Sequence, residues 1–289
     1  MAGLGMQDIK RRIKSVNSTK QITKAMELVS SAKLRKAKER LEKTRPYFKT
    51  IKSTVEEIVA STKGIQHEFL NSREVKKTGY IVITADRGLC GGYNTNVIKK
   101  AVQHMEDKER VSVVAIGQKA RDYFRKRSYD LDGEFTRISE NPSFSDAQSI
   151  GKLSIELYKQ ELVDEVYLVY TEFISTINQK PTVIKLLPIE VAAEAVEISQ
   201  TEDEEFMAYE PSPEGVLSFL VPKYIESMIF GALIEASTSE QAARRVAMES
   251  ATDNATEMIG DLQLQYNRAR QASITQEIAE IVGGAEALK

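Results

Sequence analysis

The stretch YIVITADRGLCGGYNTNVIKKAVQHM, residues 80–105, predicts the fold class of the middle of the chain. It begins with a short apolar run typical of a buried strand, continues through a glycine-rich loop, and ends in a segment with helical spacing. Further apolar runs at 111–116 and 166–170 alternate with helical stretches at 118–127 and 144–161. Strands that alternate with helices predict an α/β domain with parallel strands.

The glycine-rich loop raises the question of nucleotide binding, because phosphates bind where such a loop leads into a helix. The spacing of Gly88, Gly91 and Gly92 fits neither GxGxxG nor GxxxxGK[ST]. No acidic residue follows the second strand, 111–116, where one would hold a ribose. The glycines therefore favour a tight structural turn, and a nucleotide-binding protein stays the alternative.

Long helices are predicted on both sides of this domain. Residues 6–62 have helical spacing, with a kink expected at Pro46 because proline removes a backbone donor. A second helix is predicted to start at Pro213 with Ser212 as its N-cap, and to reach about Val282. A helix of this length needs a partner along its length. We expect the two terminal helices to pair as an antiparallel coiled coil.

The expected seam of this coiled coil is thin and interrupted by polar residues. Apolar residues recur through Ile22 and Val29 in the first helix, and through Met258, Leu262 and Ile274 in the last. The predicted fold class is α/β, with a long antiparallel coiled coil of the N- and C-terminal helices and an inserted Rossmann-like α/β domain. The predicted segments are 1–63, 75–211 and 212–289.

Two stretches at the ends of these segments have unusual composition. Residues 181–190 read as an edge strand because they contain prolines, and the acidic stretch that follows, 190–211, reads as a loop or linker. Large apolar residues stand among its acids, which indicates a polar protein interface. The C-terminal stretch is apolar where chain ends are usually polar, so we expect it to dock back or to enter another protein.

Bulk properties exclude several classes of function. Net charge is −2, although residues 1–50 hold 14 Lys and Arg against four Asp and Glu. That basic helix lacks interleaved aromatic residues, so a coiled-coil nucleic-acid or scaffold protein is only a third hypothesis. His67, His104 and the single cysteine, Cys90, have no metal-ligand spacing, and no catalytic triad stands out. No apolar run approaches the ~20 residues of a membrane span, which favours a cytoplasmic protein.

Three motifs carry a family resemblance. They are STKQITKAMELVSSAKLRKA at 18–37, DRGLCGGYN at 86–94, and ATDNATEMIGDLQLQYNRARQASITQEIAEIVGGAEAL at 251–288. With these motifs, which span both ends and the middle, the chain resembles the gamma subunit of the rotary F-type ATP synthase. The chloroplast version carries an insertion with two regulatory cysteines, and this chain has neither, so light-linked thiol regulation is not expected.

The resemblance implies a central rotor shaft that couples H⁺ or Na⁺ flow to ATP synthesis, or to ATP hydrolysis in reverse. The implied partners are the alpha and beta subunits of an alpha3-beta3 ring, the epsilon subunit and the membrane c-ring. It implies no catalysis, cofactor, metal or nucleic acid in this chain, and no membrane span. The implied location is the cytoplasmic face of a bacterial cell membrane, as a peripheral protein.

Site residues follow from the resemblance by position. The residues that match contacts to the beta subunit and its catch loop are Lys24, Met26, Arg270, Gln271 and Thr275. The residues that match the shaft tip in its apolar bearing are Ile278, Ile281, Val282 and Leu288. The residues that match contacts to the c-ring and epsilon subunit are Phe206, Tyr209 and Glu210. Arg244 matches a basic shaft position coupled to the end motif.

Overall fold

The computed structural model describes residues 2–61, 67–189 and 212–286. The chain divides into two compact units. The first unit joins Met1–Ser31 with Arg244–Lys289, and the second is the continuous stretch Ala32–Ala243. Because the two long helices extend through both units, each unit contains a piece of each helix.

The second unit is built on one five-stranded sheet in the order β3-β2-β1-β4-β5. Its strands are β1 (Thr78–Ile83), β2 (Val111–Ile116), β3 (Asp130–Phe135), β4 (Glu165–Phe173) and β5 (Gln179–Leu187). The first four are parallel, as predicted, and β5 pairs antiparallel with β4 at the edge. The predicted edge strand is therefore confirmed, and β3 is a strand that the sequence did not predict.

Helices cover both faces of the sheet. They are α2 (Tyr93–His104), α3 (Gln118–Lys126) and α4 (Phe144–Lys159), and a short 3₁₀ turn spans Lys108–Arg110. In β1, Tyr80 and Val82 pack with α2 and α3, whereas Ile81 and Ile83 pack with α4 and the long helices. Both faces are therefore buried, which is why this strand is a continuous apolar run.

The long helices are α1 (Ala2–Ser61) and α5 (Pro213–Glu286). Helix α1 continues through Pro46 rather than ending there. Helix α5 begins as predicted, because Ser212 Oγ accepts a hydrogen bond from the Gly215 amide at 3.1 Å. In the second unit the ring pair Phe48–Phe230 and the ion pair Arg45–Glu235 show that the two helices run antiparallel.

Asp164 ties the segment before β1 to the start of β4. Its carboxylate accepts hydrogen bonds from the Lys76 and Lys77 amides at 2.8 and 3.0 Å, and pairs with Arg73 Nε at 2.7 Å. Burial opposes ionisation of this group, but the two amides and the Arg73 guanidinium outweigh it and hold its pKa below 3.8. The charged carboxylate therefore stabilises the entry into the sheet.

Helix α5 contains an 18-residue stretch whose length and composition would suit a membrane span, which the sequence analysis did not expect. Most of that stretch is buried inside the protein. A core helix of a sheet domain has the same composition, since it too is surrounded by apolar side chains.

Candidate functional site

The glycine-rich loop between β1 and α2 is closed by its own side chains. Asn94 Oδ1 accepts a hydrogen bond from the Ala85 amide at 2.8 Å, and its amide nitrogen donates to Cys90 Sγ. Leu89 and Gly91 both have positive φ, at 61° and 56°, so the chain reverses tightly before α2. The loop is thus the tight strand-to-helix turn that the glycines favoured.

A carboxylate of the same loop occupies the N-terminus of α3. Asp86 accepts hydrogen bonds from the amides of Gln118 and Arg137 at 3.1 and 2.9 Å, and from the Ser139 hydroxyl at 2.9 Å. The start of a helix attracts negative charge, which is why phosphates bind there in nucleotide-binding folds. Here an internal anion fills that position.

The crevice at the carboxyl ends of β1 and β4 is occupied as well. In open α/β sheets, ligands bind where the strand order reverses, which in this sheet is between these two strands. Helix α5 lies there: Tyr93 Oη donates to the Ala236 carbonyl at 3.1 Å, and Ser239 Oγ donates to the Thr171 carbonyl at 3.1 Å. Ala243 packs against the loop cluster around Cys90. The chain's own helix therefore stands where a nucleotide would bind, which disfavours the alternative.

The histidines and Glu235 of the second unit form hydrogen bonds and an ion pair within the fold. His67 Nε2 bonds Ser218 Oγ at 3.0 Å, and His104 Nδ1 bonds Tyr80 Oη at 2.9 Å. Burial raises the pKa of the Glu235 carboxyl, although the guanidinium of Arg45 lies 3.8 Å away. Within the described ranges no three His, Cys, Asp or Glu residues come together to hold a metal ion.

The seam of the first unit differs in part from the sequence prediction, which is confirmed at the buried Leu262. Ile22, Val29, Met258 and Ile274 were expected in it, but all four are about half exposed or more. The buried positions are mostly small or polar and lie one residue away from several of the predicted ones. The buried residues of the first unit are Thr23, Ser30, Arg244, Met248, Thr252, Ala255, Leu262 and Ser273.

A hydrogen bond crosses that seam. Thr23 Oγ1 and Thr252 Oγ1 lie 2.8 Å apart and are both buried, so a pair of hydroxyls joins the two helices. Small side chains let the backbones approach closely, and the bond fixes which residues face each other. Other large apolar side chains, among them Ile22, Val29 and Met258, are exposed instead, which leaves an apolar surface that the described residues do not cover.

The predicted contact residues for the beta subunit lie on exposed or half-exposed positions. Lys24 pairs with Glu27 at 3.0 Å, and Met26 is half-buried. Arg270 and Gln271 are exposed on α5, and the Thr275 hydroxyl donates to the Gln271 carbonyl at 2.9 Å. In the described part of the chain no carboxylate pairs with the Arg270 guanidinium. These donors are therefore available to another protein.

The predicted tip residues are exposed too. Ile278, Ile281 and Val282 are 56%, 71% and 58% exposed. Arg244 is only 7% exposed, so its side chain is buried within this chain. The remaining predicted site residues, which are Leu288, Phe206, Tyr209 and Glu210, lie outside the described residues.

Some exposed residues of the first unit were not predicted as contacts. Leu28 is 61% exposed and Leu264 is 59% exposed, each on one of the long helices. The sequence held a signal for both, since each is a large apolar residue off the seam that the helical spacing indicates. They extend the uncovered apolar surface along both helices.

Comparison with known proteins gives one consistent result. A protein-family model described as ATP synthase matches residues 5–288. The ATP synthase gamma chain of Alkaliphilus metalliredigens is 74% identical over 289 residues, covering 99% of this chain and 100% of that protein. The sodium ion specific ATP synthase gamma chain of Acetobacterium woodii is 50% identical over 98% of each chain.

Solved structures agree on the fold. A chain in the central stalk and c-ring structure of Tetrahymena thermophila mitochondrial ATP synthase has a TM-score of 0.60 at 25% identity, covering 80% of this chain and 99% of that one. A chain of Euglena gracilis mitochondrial ATP synthase has a TM-score of 0.71 at 20% identity, covering 99% and 95%. With the near full-length matches in sequence, the chain belongs to the family of ATP synthase gamma chains.

Proposed function

We propose that the chain is the central rotor shaft of an F-type ATP synthase, coupling ion flow through the c-ring to ATP synthesis or hydrolysis in the head. The observation that carries the proposal is the surface of the first unit. Its seam is lined mainly by hydroxyls and small residues, while Ile22, Val29, Met258 and Ile278 face outward. A surface of this kind needs cover from another protein, and a ring of subunits around the two helices supplies it on all sides.

The gamma chain relatives support this role. The Acetobacterium woodii relative is named sodium ion specific, and the Tetrahymena structure joins a central stalk to a c-ring. The proposed partners of this chain are accordingly the alpha and beta subunits, the epsilon subunit and the c-ring. The proposed coupling ion is H⁺ or Na⁺, and the proposed location is the cytoplasmic face of a bacterial membrane.

The proposed role involves no bond chemistry in this chain. The crevice where α/β sheets bind ligands holds helix α5, and the N-terminus of α3 holds Asp86. Catalysis in the complex then falls to the subunits of the head, and this chain acts by changing their conformations. Segments 1–63 and 212–289 are proposed as the shaft, and 75–211 as the domain outside the head.

Arg270 and Gln271 are the proposed contacts to the beta catch loop. The guanidinium offers a planar fork of donors that matches a carboxylate, and the amide both donates and accepts. Their neighbour Thr275 and, on α1, Lys24 and Met26 are proposed as further beta contacts. Arg270 and Gln271 are consecutive in α5, so their side chains leave the helix axis in directions about 100° apart.

Further contacts are proposed at the two ends of the shaft. The tip residues Ile278, Ile281, Val282 and Leu288 are proposed to sit in an apolar bearing at the top of the head. Arg244 is proposed to couple the shaft to this end motif from its buried position. Contacts to the c-ring and epsilon subunit are proposed for Phe206, Tyr209 and Glu210.

The test is the double variant Arg270→Ala/Gln271→Ala in a head assembled from alpha, beta and this chain. We expect normal assembly with lower torque and slower rotary hydrolysis, because the donors to the catch loop are gone. The matched control, Lys126→Ala/Gln103→Ala, also removes one base and one amide but from exposed positions of the sheet domain. Equal torque in the double variant and the control would rule out the assigned contact.

A further inference from the structure

One segment of α5 is buried on every side although it is largely polar. Seven consecutive residues are each no more than 5% exposed, which places this part of the helix inside the sheet domain. A helix buried all round is normally apolar all round. These residues are Ala236, Ser237, Thr238, Ser239, Glu240, Gln241 and Ala242.

Hydroxyl groups link this segment to three different parts of the domain. Tyr93, the first residue of α2, donates from its phenol to the Ala236 carbonyl at 3.1 Å. Ser237 Oγ donates to the Glu140 carbonyl, in the loop before α4, at 3.2 Å. Ser239 Oγ donates to the Thr171 carbonyl of β4 at 3.1 Å. The helix is thus bonded to a helix start, a loop and a strand.

The direction of these bonds matters for rotation about the helix axis. Five of the seven residues are alanine, serine or threonine, whose short side chains resist turning only weakly through packing alone. Hydrogen bonds depend steeply on angle, and a bond between a side chain and a fixed backbone carbonyl loses strength when the helix turns. Since Ser237 and Ser239 lie about 200° apart around the axis, their two bonds oppose turning from nearly opposite sides.

We propose that Tyr93, Ser237 and Ser239 form a torsional anchor, which fixes α5 about its own axis in the crevice that related sheets use for ligands. The anchor rests on the proposed rotor function, because only a rotor must carry torque between its sheet domain and its long helix. The three residues are positioning residues, since they hold the helix and contact no reacting group. Torque applied to the sheet domain passes through them into α5.

The test measures angular fluctuation in assembled heads. The head is fixed to a surface, and a bead is attached to the sheet domain through Lys126→Cys, which is exposed, whereas the natural Cys90 is buried. The bead's angular variance is recorded during pauses at low ATP concentration. If three equal bonds share the load, removing one of them by Tyr93→Phe or Ser239→Ala raises the anchor's contribution to that variance by roughly 1.5-fold. Removing two of them in Tyr93→Phe/Ser239→Ala raises that contribution by about threefold.

The control is Tyr123→Phe on α3, which keeps the ring under the Arg127 guanidinium and removes a hydroxyl that forms no hydrogen bond to a residue in the described ranges. Unfolding midpoints are measured alongside, because a purely structural role would lower the midpoint of Tyr93→Phe and leave the variance unchanged. Such a result in either anchor variant would overturn the anchor. If Tyr93→Phe does not assemble, Ser239→Ala carries the test alone. Failure of the unmodified chain to rotate would refute the rotor function instead, so the two failures are distinguishable.

Discussion

The substitution Gly117→Ala tests how closely the turn after β2 approaches the end of β1. Gly117 follows β2 and precedes α3, with φ 87° and ψ 147°, a region that side chains other than glycine rarely adopt. A Cβ at this position would lie 2.3 Å from the Thr84 carbonyl oxygen and 2.8 Å from its carbon. Because both atoms belong to the backbone after β1, they cannot move aside cheaply.

The cost of Gly117→Ala has two parts. The backbone conformation costs on the order of 2 kcal/mol for a residue with a side chain. Relief of the clash shifts Thr84, whose hydroxyl donates to the Ile116 carbonyl at 3.0 Å and accepts from the Ala120 amide at 2.8 Å. Loss of these two bonds adds about 2 kcal/mol. The sum, about 4 kcal/mol, lowers the melting temperature by roughly 10 °C in a domain of this size.

The assay is thermal unfolding of the full chain, followed by tyrosine fluorescence because the chain has no tryptophan. Gly88→Ala is the matched control, since a Cβ there meets nothing within 4 Å, and its effect should stay within about 0.5 kcal/mol. If Gly117→Ala melts with the control, the close approach between this turn and the end of β1 is wrong.

Three further predictions concern stability, each measured by urea unfolding of the full chain. Asp164→Asn should cost about 3 kcal/mol at pH 7, because it leaves Arg73 without its buried counterion. Glu235→Gln should abolish a pH dependence: the raised pKa means that the folded chain keeps a proton which the unfolded chain loses, so stability falls as pH rises from 4.5 to that pKa and is level above it. Thr252→Val should cost about 1 kcal/mol by removing the hydrogen bond between the helices, although the Thr23 hydroxyl keeps the Lys20 carbonyl as an acceptor, and adding Thr23→Val should cost less than a second independent loss.

Each of these has an outcome that contradicts it. Equal stability of Asp164→Asn and the parent chain at pH 7 would show that the ion pair contributes nothing. A parallel pH profile for Glu235→Gln would assign the fall to other groups. Strict additivity of the two valine variants at Thr23 and Thr252 would mean that the hydroxyls do not interact.

Most strands and helices of the sheet domain could be predicted from local sequence patterns. The apolar runs of β1, β2 and β4 and the spacing of α2 to α4 each reflect burial of a continuous face, which sequence records directly. Strand β3, DLDGEF, escaped because Asp130, Asp132 and Glu134 are poor strand formers and Gly133 interrupts it. It lies at the sheet edge, where charged residues also discourage pairing with another chain.

The long helices were predictable in extent, but the direction in which several of their apolar residues point was not. Helical spacing places Ile22 and Val29 on one face of α1, and Met258 in the apolar pattern of α5. It does not indicate whether this chain or another protein covers these residues. The structure buries Thr23 and Thr252 between the helices instead. Periodicity could not predict this arrangement, because an apolar face is expected to turn outward only where a partner protein covers it.

The candidate site depended on contacts that are distant in sequence. Tyr93 and Ala236 are 143 positions apart, and the loop alone gave no sign that a helix fills the crevice. Gly88, Gly91 and Gly92 reported a tight turn correctly, because local backbone geometry determines glycine use. Whether a ligand or the chain itself occupies the space beyond the turn is a property of the whole fold.

Rotation of this chain inside an assembled head is the decisive observation for the rotor function. This chain, carrying Lys126→Cys and a bead, is assembled with alpha and beta subunits that are fixed to a surface, and ATP is added. We expect the bead to turn stepwise in one direction for as long as ATP is hydrolysed. The rotor function would be contradicted if ATP were hydrolysed at the same rate while the bead stayed stationary and the chain remained bound in the head.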